Sequence, residues 1–478
     1  MATIIEQQPL YSTFPVGQDV MFSVSNELLV ANELQVKFIA KVYMTDSLPP
    51  VLIGTEDRVG VFKTTPNNAG VGMFDFSPII ESYVKADNLA RGGSQYKGNN
   101  ITSAKPPPLH LTDKFCSSRN IIRYFAVKFS VQYLGAGGDP NVVDTAPGSF
   151  ETSDSYLVFN GYLKHSNVLR LIGLDFGYNM TDFNLNSKSK KFLTNAPIIQ
   201  YANQVDYGTV GISLYNTVQD TTFNPDGFGH LRFTYYDSSG VVLNNEVVKL
   251  NPTTGGFEYK RFKLTKNKMI YAGIYPGNLQ NWSSIFRALI SAGTLSYYTV
   301  VAQTDMSPAA DVDISEAYTI NVNCPTLKGY EPIRLGWLNQ WGAWDYYTFT
   351  MKSTKTISTQ GSTYNQLAGT WNESIYRIDS YKGGKKAFRV NATEKITMNT
   401  DFVNEAEGEW FQDLINSPEV YILKGYENID EREYALNQYV TPVKITTSSY
   451  TKKTIANDKL MQYTFEVEKS KTLRTQAV

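Results

Sequence analysis

The clearest strand signal in the chain runs from Val36 to Tyr43 and reads Val-Lys-Phe-Ile-Ala-Lys-Val-Tyr. Its residues alternate between two sets: Val36, Phe38, Ala40 and Val42, and Lys37, Ile39, Lys41 and Tyr43. An alternation with period two places the two sets on opposite faces of a β-strand. The stretch therefore predicts a strand that has one face in a hydrophobic core.

Similar strands recur along the chain, separated by turn residues. A second long strand is predicted over Arg123–Tyr133, and shorter strands are predicted over 207–215, 231–236 and 297–302. The 32 tyrosines and 25 phenylalanines also favour strands over helices. We therefore predict a mainly β protein, built of successive antiparallel β-sandwich domains with a C-terminal β-rich domain that carries one amphipathic helix.

The length of 478 residues exceeds what one hydrophobic core normally supports, so several domains are expected. We predict an N-terminal immunoglobulin-like β-sandwich over 1–135, with a long loop over 85–109, and a second β-sandwich over 136–325. The C-terminal domain covers 326–478. A Gly- and Pro-rich segment begins at Gly135 and is either a domain boundary or a large hairpin excursion.

Helix signals are few. Ser77 followed by Pro78 predicts a capped short helix, and a short helical piece is predicted over 281–290. Asn404 with Glu407 three residues later predicts a capping box, which begins the helix over 404–416. The apolar stripe of that helix consists of Trp410, Phe411, Leu414 and Ile415.

Charge and hydropathy exclude several partners. The net charge of −1 gives the whole chain no electrostatic reason to coat nucleic acid or an anionic membrane, so neither is predicted as a partner. No apolar run approaches the roughly 20 residues that span a bilayer, and the N-terminus lacks signal-peptide features, so synthesis in the cytosol is expected. Cys116 and Cys324 are expected to be free buried thiols, with a disulfide as the alternative.

The titratable residues favour a binding protein over an enzyme. His110, His165 and His230 lie far apart and show no metal-ligand spacing. No Gly-x-Ser-x-Gly elbow and no phosphate-binding loop occur, although a Ser-His-Asp site needs only proximity in space. We therefore predict that the protein is not an enzyme and has no catalytic residue, cofactor or metal.

Glycoside hydrolysis is the strongest enzymatic alternative, because it needs two carboxylates and an aromatic cleft. Asp345 adjoins Trp344, and Glu373 follows Trp371. A chain with 45 acidic residues places some of them beside aromatic residues by chance. The sequence therefore assigns no catalytic acid or nucleophile.

Five of the six tryptophans lie in the last third of the chain: Trp337, Trp341, Trp344, Trp371 and Trp410. The spacing of the first three would align them on a helix face, but Gly336 and Gly342 favour an irregular turn. Three roles stay open for Trp337, Trp341 and Trp344: core packing, contact with another subunit, and a platform for a glycan ligand. The basic runs 188–191 and 382–386 are predicted to be solvated faces.

Several segments, taken as a series, resemble virion structural proteins of tailed bacteriophages, especially crAss-like phages and other phages of Bacteroidetes and of marine or gut groups. These segments are Arg334–Asn339, Trp344–Phe349, Asn399–Trp410, Leu414–Tyr421 and Asn457–Glu468. Met73–Tyr83 resembles the N-terminal domain of the same proteins. The resemblance spans most of the chain and provides no functional residues to transfer.

The resemblance implies a structural component of the virion that assembles as a symmetric ring in the tail, tail hub or baseplate. Its implied partners are other copies of itself and neighbouring tail, neck or baseplate proteins. The long loops 85–109 and 135–155 are expected to reach neighbouring subunits. The first alternative is a receptor- or glycan-binding tail protein, and the second is a glycan-degrading tail enzyme.

Overall fold

The structure, a computed structural model, describes residues 3–46, 57–85, 109–117, 121–135, 138–139, 142–143, 150–162, 180–214, 228–250, 269–304, 311–323, 329–370, 373–424, 440–447, 449, 451, 461–470 and 473–474. Strands far outnumber helices in these residues, and most neighbouring strands are antiparallel. The predicted mainly β class is therefore confirmed. The chain divides into two compact units: unit 1 is 1–323, 338–345 and 427–430, and unit 2 is 324–337, 346–426 and 431–478.

The helices and strands up to residue 323 belong to unit 1. In chain order they are β1 (Ile4–Gln7), β2 (Thr13–Gly17), β3 (Met21–Ser25), α1 (Glu27–Asn32), β4 (Leu34–Thr45), β5 (Arg58–Thr64), β6 (Val71–Asp75), α2 (Ser77–Tyr83), β7 (Phe115–Ser117), β8 (Ile122–Leu134), β9 (Val142–Val143), β10 (Glu151–Thr152), β11 (Tyr156–Tyr162), β12 (Ile199–Asn203), β13 (Thr209–Ser213), β14 (His230–Tyr236), β15 (Val242–Lys249), β16 (Met269–Gly273), α3 (Pro276–Trp282), α4 (Ser284–Ser291), β17 (Tyr297–Gln303) and β18 (Tyr318–Asn323). Two short 3-10 helices cover Leu109–Leu111 and Met180–Phe183.

The remaining elements are β19 (Ile333–Leu338), β20 (Trp344–Phe349), β21 (Ser353–Gln366), β22 (Gly384–Asn399), α5 (Glu405–Asn416), β23 (Val420–Leu423), β24 (Val440–Ile445), β25 (Thr464–Lys469) and β26 (Leu473–Arg474). The strands among them form one sheet with the order β20-β19-β23-β24-β25-β22-β21, and β26 pairs with β22. The turn between β19 and β20 is counted with unit 1.

Two sheets form the N-terminal part of unit 1. A three-stranded sheet has the order β1-β3-β6, and a larger sheet has the order β2-β11-β8-β4-β5, with β9 and β10 paired to β8. Side chains from both sheets and from α2 form one buried hydrophobic cluster. This arrangement is the sandwich that the alternating strands predict. Within the larger sheet β2 and β11 are parallel, which the sequence did not indicate.

The alternating stretch Val36–Tyr43 lies in β4, as predicted. Its inward set is at most 8% exposed and packs in the cluster: Val36, Phe38, Ala40 and Val42. Burying a Val or Phe side chain stabilises the fold by about 1.5–3 kcal/mol. On the opposite face Lys37 is exposed and Lys41 is half-buried, but Ile39 and Tyr43 are buried as well. The second face of this central strand is therefore also partly covered.

Strand pairing continues across position 135, where a domain boundary or a hairpin excursion was expected. β11 pairs antiparallel with β8, so that Tyr156 lies opposite Phe125. The two short strands between them, β9 and β10, also pair with β8. Of the two expected alternatives, the hairpin excursion agrees with this pairing. The domain limits 1–135 and 136–325 stay predictions.

A second pair of sheets completes unit 1. One has the order β12-β18-β17-β14-β15 and the other β13-β16-β7. The strands predicted over 207–215, 231–236 and 297–302 correspond to β13, β14 and β17. β7 precedes β8 in the chain but pairs with β16, with Cys116 opposite Tyr271. Pairing at such a sequence separation leaves no local sign in the sequence.

The helix predictions are correct in position. The capping box before α5 is present, since the Asn404 side chain accepts from the Glu407 N–H and the Glu407 carboxylate accepts from the Asn404 N–H. Trp410, Phe411 and Leu414 are buried, as the apolar stripe predicts. The helical piece predicted over 281–290 consists of two helices, α3 and α4, because the Ser283 hydroxyl caps a new helix by accepting from the Phe286 N–H.

One capping prediction is wrong. Ser77 is the first residue of α2, and Phe76 occupies the capping position without a side-chain hydrogen bond. The acceptor is Asp75, whose Oδ1 lies 2.9 Å from the Ser77 nitrogen. An Asp side chain satisfies such a free N–H as well as a Ser hydroxyl does, so the carboxylate two residues earlier takes the role.

Several predicted features lie outside the described residues: the loop 86–108, His165, Cys324 and Trp371. Cys116 is a free, fully buried thiol, as expected. Within the part of the chain that the structure describes, no helix combines the length and the apolar composition that crossing a bilayer requires.

Candidate functional site

The three tryptophans proposed as contact residues are buried: Trp337 is 0% exposed, Trp341 4% and Trp344 1%. In unit 2 the ring of Trp337 packs 4.9 Å from that of Trp410. In unit 1 Trp341 packs 4.1 Å from Phe183, and Trp344 meets His110 edge-on at 4.6 Å. Of the three open roles, the structure shows core packing, and burial removes these indoles from the surface of the chain.

The turn that carries Trp341 is organised by Asn339. Its side-chain oxygen accepts from the N–H of Trp341 at 3.0 Å and of Ala343 at 3.1 Å. Its amide group donates to the carbonyl of Leu193 and to Asp345, both at 2.9 Å. Asn339 is 2% exposed, so these polar groups have no access to bulk water. Residues 339–343 therefore form an irregular turn around Trp341, as predicted, and this turn is part of a core. The prediction is wrong for Trp337 and Trp344, which lie in the strands β19 and β20 on either side of the turn.

The carboxylates considered for glycoside hydrolysis have unlike surroundings. Asp345 is 2% exposed, and its Oδ1 accepts from the Thr194 hydroxyl at 2.6 Å as well as from Asn339. Glu373 is exposed. The neighbouring Trp344 ring is buried, so it lines no open cleft beside Asp345. The hydrogen bonds of Asp345 give it a structural role in holding the turn.

Two of the histidines belong to the described residues, and both are buried. His110 and His230 are each at most 1% exposed. The Nε2 atom of His230 lies 3.0 Å from the Gln303 side-chain oxygen and 3.6 Å from Asp311. The described residues contain no group of three His, Cys, Asp or Glu that could hold a metal ion.

The surface feature that stands out is a long β-hairpin in unit 2, made by β21 and β22 with their connecting loop. We call residues 353–399 the hairpin arm. The two strands pair continuously from Ser353 opposite Met398 to Gln366 opposite Gly384. β25 accompanies β22 only as far as Lys395, and β26 pairs at two further positions. Beyond the position opposite Lys395, the ten residues Ile357–Gln366 of β21 extend about 33 Å, at roughly 3.3 Å per residue.

The ribbon of the hairpin arm has almost no core of its own. Every residue of β21 from Thr354 to Asn365 is exposed, although neighbouring residues point to opposite faces. Two-stranded ribbons are only marginally stable in water, because ordering each residue costs about 1–2 kcal/mol of conformational entropy. A surface that covers the ribbon would stabilise it. Among the described strands β21 is also the last in the order of its sheet, and the outer edge of such a strand can pair with another chain.

The end of the arm is ordered by its own contacts. We call residues 364–370 and 373–389 the arm tip. Thr370 and Arg377 join the two sides of the tip, since the Thr370 N–H donates to the Arg377 carbonyl and the Arg377 N–H donates to the Thr370 hydroxyl, both at 3.0 Å. Lys382 pairs with Asp379 at 3.0 Å, and this partner raises the pKa of the lysine. A β-bulge leaves Phe388 between two paired positions, where it contacts Tyr364.

This ordered tip carries an unusual density of exposed apolar side chains. Seven large hydrophobic residues are exposed in it: Tyr364, Leu367, Ile375, Tyr376, Ile378, Tyr381 and Phe388. Ile378 is 74% exposed and Tyr381 72%. Single exposed apolar residues are normal on protein surfaces, but a cluster of them indicates a contact site.

The arm tip is also basic. It contains five basic residues, Arg377, Lys382, Lys385, Lys386 and Arg389, and two acidic ones, Glu373 and Asp379, for a net charge of +3. The predicted solvated run 382–386 is part of this tip, with Lys385 exposed. The other basic run, 188–191, is solvated as predicted, with Lys188 and Lys191 exposed. Aromatic and basic groups are therefore combined at the end of the arm.

Sequence reasoning did not find the hairpin arm. β21 contains few apolar residues, so it lacks the alternation that marks a half-buried strand. The connection between β21 and β22, residues 367–383, is also much longer than the two-residue loops whose Gly-Gly or Asn-Gly signal marks a hairpin. Gly383 and Gly384, at the end of this connection, have positive φ angles of 93° and 78°.

Comparisons with known proteins give no family for the chain. No protein-family model matches the sequence. No curated protein matches it significantly. Among solved structures, the native conformation of E. coli alpha-2-macroglobulin matches with 10% sequence identity and a TM-score of 0.18, over 83% of this chain. The chain spans 22% of the length of that structure's chain, and a TM-score at this level supports no common fold.

Proposed function

We propose that the chain is a structural subunit of a tailed-phage virion that assembles into a symmetric ring in the tail, tail hub or baseplate. The observation that carries the proposal is the hairpin arm, which displays seven large hydrophobic side chains on an internally ordered tip. Beyond Lys395 the ribbon of the arm is almost entirely exposed and has little core of its own. Its exposed surface suits contact with a neighbouring subunit.

The resemblance of the tryptophan-rich and N-terminal segments to phage structural proteins supports the setting in a virion. Partners are then other copies of the chain and neighbouring tail, neck or baseplate proteins. The burial of Trp337, Trp341 and Trp344 reduces the support for a glycan platform made by these indoles. Assembly through the arm needs no catalytic residue and no cofactor.

The proposal is tested by the mass of the purified chain, measured by native mass spectrometry and sedimentation over a concentration series. Rings of six or twelve copies would support a tail, hub or baseplate component. A trimer that binds an oligosaccharide would favour the receptor-binding alternative. A chain that stays monomeric, alone and mixed with the other virion proteins of its phage, would overturn the assembly function.

A matched pair of substitutions connects assembly to the arm. Phe388 in the arm tip is 56% exposed, and Phe402 in the same unit but outside the arm is 57% exposed. Burying the exposed part of a Phe ring contributes about 1–2 kcal/mol, so its loss weakens a contact roughly tenfold. We expect Phe388→Asp to shift the assembly to higher concentrations by at least that factor, and Phe402→Asp to leave it unchanged. Equal effects of the two substitutions would contradict the role of the arm.

A further inference from the structure

The charge of the chain is distributed unevenly between the arm tip and the remaining residues. The whole chain has a net charge of −1 and the tip alone has +3, so the remaining residues carry −4. Much of that negative charge lies near the N-terminus. The described residues 3–46 and 57–85 contain eight acidic and five basic side chains, for a net charge of −3.

Part of this negative charge lies on the open face of the small sheet β1-β3-β6. Its inner face contributes Phe22, Val24 and Phe74 to the core, so the alternate residues face outwards. The outer residues include two exposed apolar side chains, Ile4 at 54% and Met73 at 53%. We call the outward side chains of β1 and β6 the acidic face.

Two carboxylates give the acidic face its charge. Glu6 follows Ile4 on the same side of β1 and accepts a hydrogen bond from the Ser25 hydroxyl of the neighbouring strand β3. Asp75 follows Met73 on β6 and accepts from Ser77. Although partial burial acts in the opposite direction, the hydrogen bonds from Ser77 lower the pKa of Asp75. Asp75 therefore stays charged under mildly acidic conditions, and the face combines apolar with negative groups.

We propose that the arm tip of one copy docks on the acidic face of a second copy of the same chain. This inference rests on the proposed assembly function and names the partner of the arm. The two surfaces are complementary in both respects, because each combines exposed apolar side chains with charges of opposite sign. Complementary charge steers association and fixes the orientation of partners, while apolar burial supplies most of the affinity.

The geometry of such a contact agrees with ring formation. The arm and the acidic face are different surfaces, so a contact between them is heterologous. In an open row of copies the first copy has an unused face and the last an unused arm. Repetition of such a contact gives a closed ring when the rotation between neighbouring copies closes, and an open filament when it does not. A contact of this kind also weakens with salt, because exposed charges are screened within about 8 Å at physiological ionic strength.

Charge reversal in two separate variants tests the contact. The arm-reversed variant carries Arg377→Glu and Lys385→Glu, because the described hydrogen bonds of these two residues use their backbone and not their side chains. The face-reversed variant carries Glu6→Lys and Met73→Lys, at two exposed positions. Circular dichroism and thermal unfolding of each variant establish that it is folded before assembly is measured.

Each reversed variant alone is expected to assemble at least tenfold more weakly than the unmodified chain. An equimolar mixture of the two is expected to recover assembly, with the variants alternating. In that mixture every reversed arm meets a reversed face and every unmodified arm meets an unmodified face. Native mass spectrometry separates the two masses and reports the alternation. In a separate experiment on the unmodified chain, isotopically labelled and unlabelled copies are mixed. Cross-linking with a carbodiimide should then join Lys385 of a labelled copy to Glu6 or Asp75 of an unlabelled one.

The outcomes separate this inference from the proposed function. If the arm-reversed variant fails to assemble while the face-reversed variant assembles normally, the arm docks on another surface and only the inference is overturned. Failure of the mixture to recover assembly overturns the inference in the same way. If the unmodified chain remains monomeric at every concentration and in the presence of its virion partners, the proposed function and the inference are both overturned.

Discussion

The turn around Asn339 offers a sharp test of how burial sets the energy of a hydrogen bond. The same turn occurs at Asn67, where the side-chain oxygen accepts from the N–H groups of Ala69 and Val71 at 2.9 and 3.0 Å. In both turns the first residue also exchanges backbone hydrogen bonds with the residues three and four positions later. Asn67 is exposed, whereas Asn339 is 2% exposed. The two positions are therefore matched in local geometry and differ in burial.

We expect Asn67→Ala to lower the free energy of unfolding by about 1 kcal/mol, because water replaces the lost acceptor. Asn339→Ala leaves the N–H groups of Trp341 and Ala343 without that acceptor in a buried site, at about 1–3 kcal/mol each. It also removes the donor to the Leu193 carbonyl. The expected loss is about 3–5 kcal/mol, which corresponds to a shift of roughly 1–2 M in the urea midpoint at a slope near 3 kcal/mol per M.

The assay is equilibrium urea unfolding followed by tryptophan fluorescence and circular dichroism. Because the chain has two compact units, the prediction concerns the transition of the unit that contains residues 338–345. Trp282, Trp341 and Trp344 belong to that unit, so its unfolding changes the tryptophan fluorescence. Losses of about 1 kcal/mol for both substitutions would contradict the prediction, because burial would then have no effect on the energy of the turn.

Four further predictions concern single positions. Gly342→Ala should lower the free energy of unfolding by more than about 3 kcal/mol, because a Cβ there would lie 2.4 Å from the Asn160 carbonyl oxygen. Gly293 has a similar φ and nothing within 4 Å of its Cβ position, so Gly293→Ala should cost only the roughly 1–2 kcal/mol of left-handed strain. Equal urea midpoints for the two variants would contradict this. Asn404→Ala should lower unfolding free energy by about 1 kcal/mol. Burial raises the pKa of Glu407 in the folded state above its value in the unfolded chain. The charged Glu407 carboxylate therefore destabilises the folded state above the folded pKa, and this destabilisation disappears as pH falls below the unfolded pKa. Glu407→Gln should be at least as stable as the unmodified chain at pH 7, and urea titrations should find no such advantage near pH 3. Burial raises the pKa of Cys116 to about 12, so peptide mapping should find this thiol alkylated at pH 8 only after unfolding, and rapid native labelling would contradict its burial.

The sequence identified elements whose signal is local. The alternation of Val36–Tyr43 predicted β4, and the Asn404 and Glu407 pair predicted the start of α5. Both patterns depend on neighbours within a few residues, so they persist in any fold that keeps the segment. The pairing of β7 with β16 had no such signal, because its two strands lie about 150 residues apart in the chain. The hairpin arm escaped for another reason, since an exposed ribbon has no apolar alternation to detect.

The Asn-x-x-Gly turns show where the two levels of information divide. Their shape follows from local residues, because the Asn side chain binds two nearby N–H groups and the glycine accepts a positive φ, 75° at Gly70 and 74° at Gly342. The exposure of one turn and the burial of the other with its tryptophan depend on the folded chain as a whole. Burial depends on which distant segments pack over a turn, here Phe183 and Leu193, and no pattern within the turn itself records them.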